Sequence, residues 1–209
     1  MFKRWRSVRT IGQAWKQSPY YADAEQWTFI FWDEDGPFRR LFERLDLSST
    51  LELACGHGRH AEQMAARASR LTLMDIHENN LEVCRNRLSM HEHVTCIRNN
   101  GYDFRPVAER SLTAIFCYDA MVHFSADLVE SYLNDVKRVL APGGSALLHH
   151  SNYAAPENRP YGQNPHARNH MTFDLFKTFA ASAGLAVEDS EVVDWGGVKS
   201  LDRLTLLRA

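Results

Sequence analysis

Across its 209 residues the sequence has no Cys-x-x-C pair, no apolar run approaching 18 residues and no excess of charge of one sign. Cys55, Cys84, Cys96 and Cys117 are scattered in or near apolar runs. They read as buried free thiols of a reducing compartment, not as a disulfide framework or zinc site. Lacking a long apolar run, the chain offers no membrane span. Lys3, Arg4, Arg6 and Arg9 charge the amino terminus, but Trp15, Lys16 and Gln17 fall where the apolar core of a secretion signal would run. A cytoplasmic location is therefore expected. Twenty-four basic against 26 acidic side chains leave a formal charge of -2, which argues against a surface built as a whole for nucleic acid. What the chain does have is 44% apolar and 24% charged residues, the balance of one globular domain.

Residues 1–47 read as a helical, aromatic-rich segment. The first 20 residues carry five basic side chains and no acidic one, and Trp5, Val8, Ile11 and Trp15 recur at helical spacing. This pattern predicts a short amphipathic helix with a basic flank, lying over the core, over a ligand or against an anionic partner. Pro19 interrupts it, a second helical pattern over 22–31 contains Trp27, Ile30 and Phe31, and Phe38, Leu41, Phe42 and Leu45 mark a third face. Trp27 is expected in the core.

From about residue 48 the pattern becomes alternating short strands and helices. Strands are expected at 50–55, 70–74, 94–98, 112–117 and 145–149, with helices after the first, second and fourth. Pro142-Gly143-Gly144 stops the helix over 127–140. A capped helix over 173–183 and two last strands around Trp195-Gly196-Gly197 complete the chain. Such order predicts a mostly parallel sheet covered on both faces. The polar stretch 150–171, with three prolines, is a candidate lid or substrate loop.

The sharpest signal is Leu51-Glu52-Leu53-Ala54-Cys55-Gly56-His57-Gly58-Arg59-His60. A strand runs into a tight Gly-x-Gly turn and a helix follows. Glycine lets the backbone take left-handed angles and approach a ligand closely. Asp75 ends the next strand, where a carboxylate accepts hydrogen bonds from ribose hydroxyls. Together these features predict an adenosine-containing ligand. Gly56-x-Gly58-x-x-Ala61 also satisfies a nicotinamide dinucleotide fingerprint. Against that reading, no Tyr-x-x-x-Lys pair occurs, and about 50 residues before the turn leave little room for a substrate domain. Glu52 also sets an acidic group in an apolar strand end, which calls for a positive partner. S-adenosylmethionine carries such charge; the dinucleotide brings more negative charge.

Residues 51–60 resemble the first motif of class I S-adenosylmethionine-dependent methyltransferases, and Asp75 matches the family's ribose-binding acid. The runs 112–124 and 136–148, the latter with Arg138-Val139-Leu140-Ala141-Pro142-Gly143-Gly144, resemble two later motifs. The resemblance implies a Rossmann-like three-layer α/β sandwich over 48–209. Its seven-stranded sheet would have the order 3-2-1-4-5-7-6, with the N-terminal helical segment 1–47 as a cap. It further implies that Glu52, Ala54, Gly56 and Gly58 serve the turn and the methionine part of the cofactor. Asp75 would take the ribose, Ile76 would flank the adenine, and Asn100 and Gly101 would meet its edge. The family more often has Asp at the Asn100 turn. Tyr118 falls beside the sulfonium.

Methyl transfer to a hydroxyl needs alignment and removal of a proton. His123, after the fourth strand, is the first candidate base, with Asp119 beside it as an orienting group. His150, after the fifth strand, is the second because it is nearer the loop than His149, and strand alternation sends only one of the two to each face. Each also reads as a structural group. Tyr21 and Trp32 are candidates for an acceptor-pocket wall, and Asn152, Arg168 and His170 for acceptor contacts from the 150–171 loop. His57, His60, His166 and His170 offer no third ligand at a metal-binding spacing, so no metal is expected. The few insertions favour a small-molecule or saccharide acceptor, and the strand-exit histidines favour oxygen methylation. Rival readings are methylation of a small amine or of RNA, and a non-catalytic cofactor-binding module. Oligomeric state has no signature here.

Overall fold

The computed structural model describes residues 2–156 and 159–209, so residues 157–158 of the candidate loop lie outside the described part. Seven strands form one sheet: β1 (Thr50–Leu53), β2 (Leu71–Asp75), β3 (Val94–Arg98), β4 (Leu112–Cys117), β5 (Leu140–Ser151), β6 (Ala186–Trp195) and β7 (Val198–Arg208). Their order is β3-β2-β1-β4-β5-β7-β6, as the resemblance implied. Strands β1 to β5 pair in parallel, and β7 runs antiparallel to both β5 and β6.

Period-two alternation divides the core into two layers. Leu51 and Leu53 of β1 enter one of them with Tyr132, Leu133 and Val136 of α7 (Ala126–Val139) and Phe176 of α8 (Phe173–Ser182). Leu71 and Leu73 of β2 enter the other, beneath α4 (Pro37–Phe42), α5 (Arg59–Ala65) and α6 (Glu78–Arg87). Helix α7 buries one stripe and carries Asp127 in its first turn and Lys137 and Arg138 in its last, the arrangement the helix dipole favours. Thr172 caps α8 by accepting a hydrogen bond from Leu175 N at 3.2 Å.

Three local expectations are corrected. Strand β5 begins at Leu140 rather than 145, because Leu140 pairs with Leu112 before the register jumps to Ala114 opposite Ser145. The proline and two glycines form the irregularity inside this strand. Residues 22–31 do not make one helix but α2 (Tyr20–Asp23), a 3₁₀ turn and α3 (Thr28–Phe31). Their aromatic and β-branched residues have low helix propensity, and packing sets the path. Trp27 is 42% exposed rather than core, while Ala24 is buried.

Helix α1 (Phe2–Trp15) forms where the apolar repeat predicted it, although Trp5 is exposed. Of the 150–171 stretch, the described residues hold two 3₁₀ turns, Tyr161–Gln163 and Pro165–Ala167, and are tied to the body through Ser151 Oγ to Asn169 O at 2.9 Å. No helix among the described residues is long and apolar enough to cross a membrane.

Candidate active site

A cleft with about 980 Å³ of empty space, its mouth included, opens at the carboxyl ends of β1, β2 and β4. Its size suits a nucleoside-sized ligand. The loop after β1 makes its floor. Ala54 (φ 56°), Gly56 (φ 53°) and Gly58 (φ 76°) all take left-handed angles, a path that the two glycines allow at little cost and Ala54 follows with strain. A Cβ on Gly56 would lie 3.0 Å from the Tyr21 ring, and one on Gly58 3.0 Å from Cys84 Sγ. Gly56 N donates to Asp75 Oδ2 at 3.0 Å, tying the loop to the end of β2. Asp75 Oδ1 accepts from His77 N at 2.8 Å and Asn80 Nδ2 at 3.2 Å. Burial raises the Asp75 pKa against the pull of these donors.

Helix α1 makes the roof. Its Gly12 approaches Ile76 so closely that a Cβ there would sit 2.9 Å from Ile76 Cδ1, and Val8 closes on Gly101, whose added Cβ would sit 2.7 Å away. Arg4 Nη1 donates to Ser131 Oγ on α7 at 3.1 Å, and Trp15 Nε1 donates to Tyr161 OH at 3.1 Å, holding both ends. Tyr21 stacks on His57 with ring centres 4.9 Å apart.

Three buried polar atoms of cleft-lining residues have no hydrogen-bond partner among the described residues: Glu52 Oε2, His60 Nε2 and His77 Nε2. Glu52 is 3% exposed, and burial pushes its carboxyl well above the usual range. A buried acid without a partner fits a positively charged ligand group. The left-handed floor, Asp75 and Glu52 thus suit, respectively, the close approach, ribose and ammonium of S-adenosylmethionine.

At the exit of β4, Asp119 has φ 54° and is nearly inaccessible. Its carboxylate accepts a short hydrogen bond from Tyr20 OH and another from Arg59 Nη2 at 3.0 Å, and its N–H donates to His149 Nδ1 at 3.0 Å. His123 follows one turn later. Its Nδ1 lies 3.0 Å from Ala167 O. A carbonyl only accepts, so Nδ1 carries the proton and Nε2 keeps its lone pair. Burial, with the Arg168 charge adding to it, lowers the His123 pKa to about 3 and keeps the ring neutral. Trp15 packs on this ring at 4.5 Å.

Of the residues singled out from the sequence, Glu52, Ala54, Gly56, Asp75, Ile76, Gly101, Tyr118, Asp119, His123 and Tyr21 line this cleft. Tyr21 does so over the glycine loop rather than on a separate wall. Gly58 and Asn100 stand behind it. Asn100 shapes its turn by accepting from Tyr102 N and Asp103 N, and the neighbouring Asn99 lines the cleft instead.

His150 is directed away by strand alternation. It stacks on Phe176 at 3.7 Å and contacts Thr205 Oγ1 at 2.9 Å in the α8 layer. Arg168 is 2% exposed and grips Asp202, with Nη2 to Oδ2 at 2.5 Å. Asn152 donates to Ser200 O, His170 is exposed, and Trp32 turns its indole N–H to His60. None of these five borders the cleft. Asn99, Arg59, His60 and Tyr20 also line the cleft, and no motif in the sequence marks their side chains for it. Among the described residues no three His, Cys, Asp or Glu side chains are grouped to hold a metal ion.

Residues 50–144 match a family model described as a methyltransferase domain. No curated protein matches the sequence. Among solved structures, an S-adenosylmethionine-dependent methyltransferase from Mesorhizobium loti superposes with a TM-score of 0.67 at 15% identity, over 82% of this chain and 97% of that one. Geranyl diphosphate C-methyltransferase from Streptomyces coelicolor A3(2), solved with Mg2+, geranyl diphosphate and S-adenosyl-L-homocysteine, gives 0.66 at 14% identity, over 81% of this chain and 77% of that one. The PH0226 protein from Pyrococcus horikoshii OT3 gives 0.67 at 16% identity, covering 94% and 98%. At these identities the likeness is one of fold.

Proposed function

We propose that this S-adenosylmethionine-dependent methyltransferase of the class I fold methylates a hydroxyl oxygen of a small molecule, a sugar hydroxyl included, with His123 receiving the hydroxyl proton. The bound cofactor supplies a methyl group on positively charged sulfur. Glu52 and Asp75 are the residues to hold its ammonium and ribose, Gly101 and Ile76 flank the adenine, and α1 within segment 1–47 covers them. The acceptor hydroxyl donates a hydrogen bond to His123 Nε2, which aims it; because burial leaves the ring a weak base, its proton passes to Nε2 only as the new oxygen–carbon bond forms and makes that proton strongly acidic.

The observation that carries this reading is the neutral His123 ring, committed through Nδ1 to Ala167 O and left with a lone pair on Nε2, in the cleft that also holds Glu52 and Asp75. An uncharged acceptor fits best. Arg59 is paired with Asp119 and Arg168 with Asp202, so neither guanidinium is free for an anionic substrate. Trp15, Tyr20 and Phe124 offer apolar and aromatic walls.

The test is transfer of label from methyl-tritiated S-adenosylmethionine to a panel of phenols, sugars, primary amines and RNA. Label in hydroxyl compounds is expected. His123→Gln should then cut turnover about 100-fold or more, within the usual range for a lost general base, with little change in S-adenosylhomocysteine affinity. Label confined to amines or RNA overturns oxygen methylation. Firm cofactor binding without transfer to any of them favours a binding module.

A further inference from the structure

We infer that His60 anchors the carboxylate of the cofactor's amino-acid end, held in its donating form by Trp32. The inference rests on the S-adenosylmethionine reading of the cleft and adds to it a role for His60, the last residue of the 51–60 motif.

The tautomer follows from one contact. Trp32 Nε1 lies 3.2 Å from His60 Nδ1, and an indole N–H only donates. Nδ1 therefore holds a lone pair, and the ring proton sits on Nε2. Burial, reinforced by the nearby Arg59 charge, keeps His60 neutral by lowering its pKa well below the ordinary value. Phe38 and Tyr118, with ring centres 5.9 and 5.2 Å away, confine the ring.

His60 is 3% exposed, and its Nε2–H meets no acceptor among the described residues. A buried donor left in this state is costly, so it calls for an acceptor from outside the chain. Glu52, on the same cleft, presents the opposite need: a buried acid with no donor. No hydrogen bond joins the two to each other. A zwitterionic amino-acid group satisfies both at once, its ammonium against Glu52 and its carboxylate against His60. The basic side chains nearby are already committed. Arg59 donates to Ala24 O at 2.8 Å and to Asp119, and Arg87 pairs with Glu25 and Glu62.

The experiment compares two ligands that differ only in the carboxylate, S-adenosylhomocysteine and its decarboxylated analogue, by calorimetry. Wild-type protein should bind the former about tenfold or more tightly, the scale of one charge-assisted hydrogen bond. His60→Phe should bring that ratio toward one while leaving the decarboxylated analogue's affinity near its wild-type value. His60→Gln, whose amide N–H reaches the position of Nε2, should restore part of the ratio. If His60→Phe fails to fold, Trp32→Phe decides, because it frees Nδ1 to take the proton and should lower the ratio with His60 still in place.

A ratio unchanged in the folded variants, or an equal loss for both ligands, overturns the inference, since a merely structural histidine would not discriminate between them. Failure of both ligands to bind the wild type would instead remove the cofactor reading, and the inference with it.

Discussion

Binding of S-adenosylhomocysteine should expel a proton from Glu52. In the free protein this carboxyl is 3% exposed, with Oε2 unpartnered, and burial raises its pKa well above that of an ordinary glutamate. It therefore keeps a proton at pH values where an exposed glutamate has lost one. The ligand's ammonium favours the ionised form. Affinity should consequently rise with pH from the ordinary glutamate value, about 4.3, up to the raised value. The limiting slope is about tenfold per pH unit, or roughly 1.4 kcal/mol, for one whole proton released.

The useful window ends near pH 7, below the α-amino pKa of about 7.7 to 8.0, so that the ligand's own charge stays constant. Calorimetry at about pH 5.5 and about pH 7.0, in buffers of different ionisation enthalpy, counts the proton directly. Glu52→Gln is a close isostere of the protonated acid and should leave the free protein folded while losing this share of the pH dependence. Asp75, whose pKa burial also raises, is present in both proteins, so their difference isolates Glu52. Identical pH slopes and proton counts in wild type and Glu52→Gln would refute the reasoning.

Other perturbations test the surroundings of the site. His150 is buried neutral with its pKa lowered to about 3, so the unfolded chain binds its proton first as pH falls below about 6.5. Its contribution to stability should fall by about 2 kcal/mol between neutral pH and pH ~5, and urea titrations of wild type and His150→Phe should show their difference shrinking by that amount; parallel curves would contradict it. Gly101 has φ 86° and faces Val8, so Gly101→Ala should lift α1, with strain of roughly 1–3 kcal/mol, weaker S-adenosylhomocysteine binding and faster proteolysis near residues 16–19. Unchanged binding and proteolysis would remove α1 as the roof. Burial works to raise the Asp202 pKa, but His149 and Arg168 hold it at about 2. Asp202→Asn leaves the buried Arg168 charge only the longer contact to Asp119, 4.0 Å away, and should cost about 3 kcal/mol in denaturant titration, and a loss below about 1 kcal/mol would contradict the pairing.

The alternation of strands and helices, the glycine turn and Asp75 were readable in the chain because each depends on neighbours, whereas the order of the sheet followed only from the family resemblance. Strand alternation, left-handed glycines and a carboxylate at a strand end all act within a few residues or one strand–helix–strand unit. Local pattern failed where several placements were equivalent. Asn99 and Asn100 have the same chemistry, and only the turn's hydrogen bonds decide which one faces the cleft. His149 and His150 had to part company, but the face nearer the ligand depended on what packs above each.

By itself, then, the sequence determined the layered fold and the left-handed Gly-x-Gly turn at the end of its first strand, because burial periodicity and backbone stereochemistry are local properties. The tertiary structure alone decided which charged and polar groups remain free. Arg59 is spent on Asp119 at a separation of 60 residues, Arg168 on Asp202 at 34, and Trp32 sets the proton of His60 from 28 residues away. A side chain's availability is what is left after its partners have been found, and partners this far apart along the chain meet only once the sheet has closed.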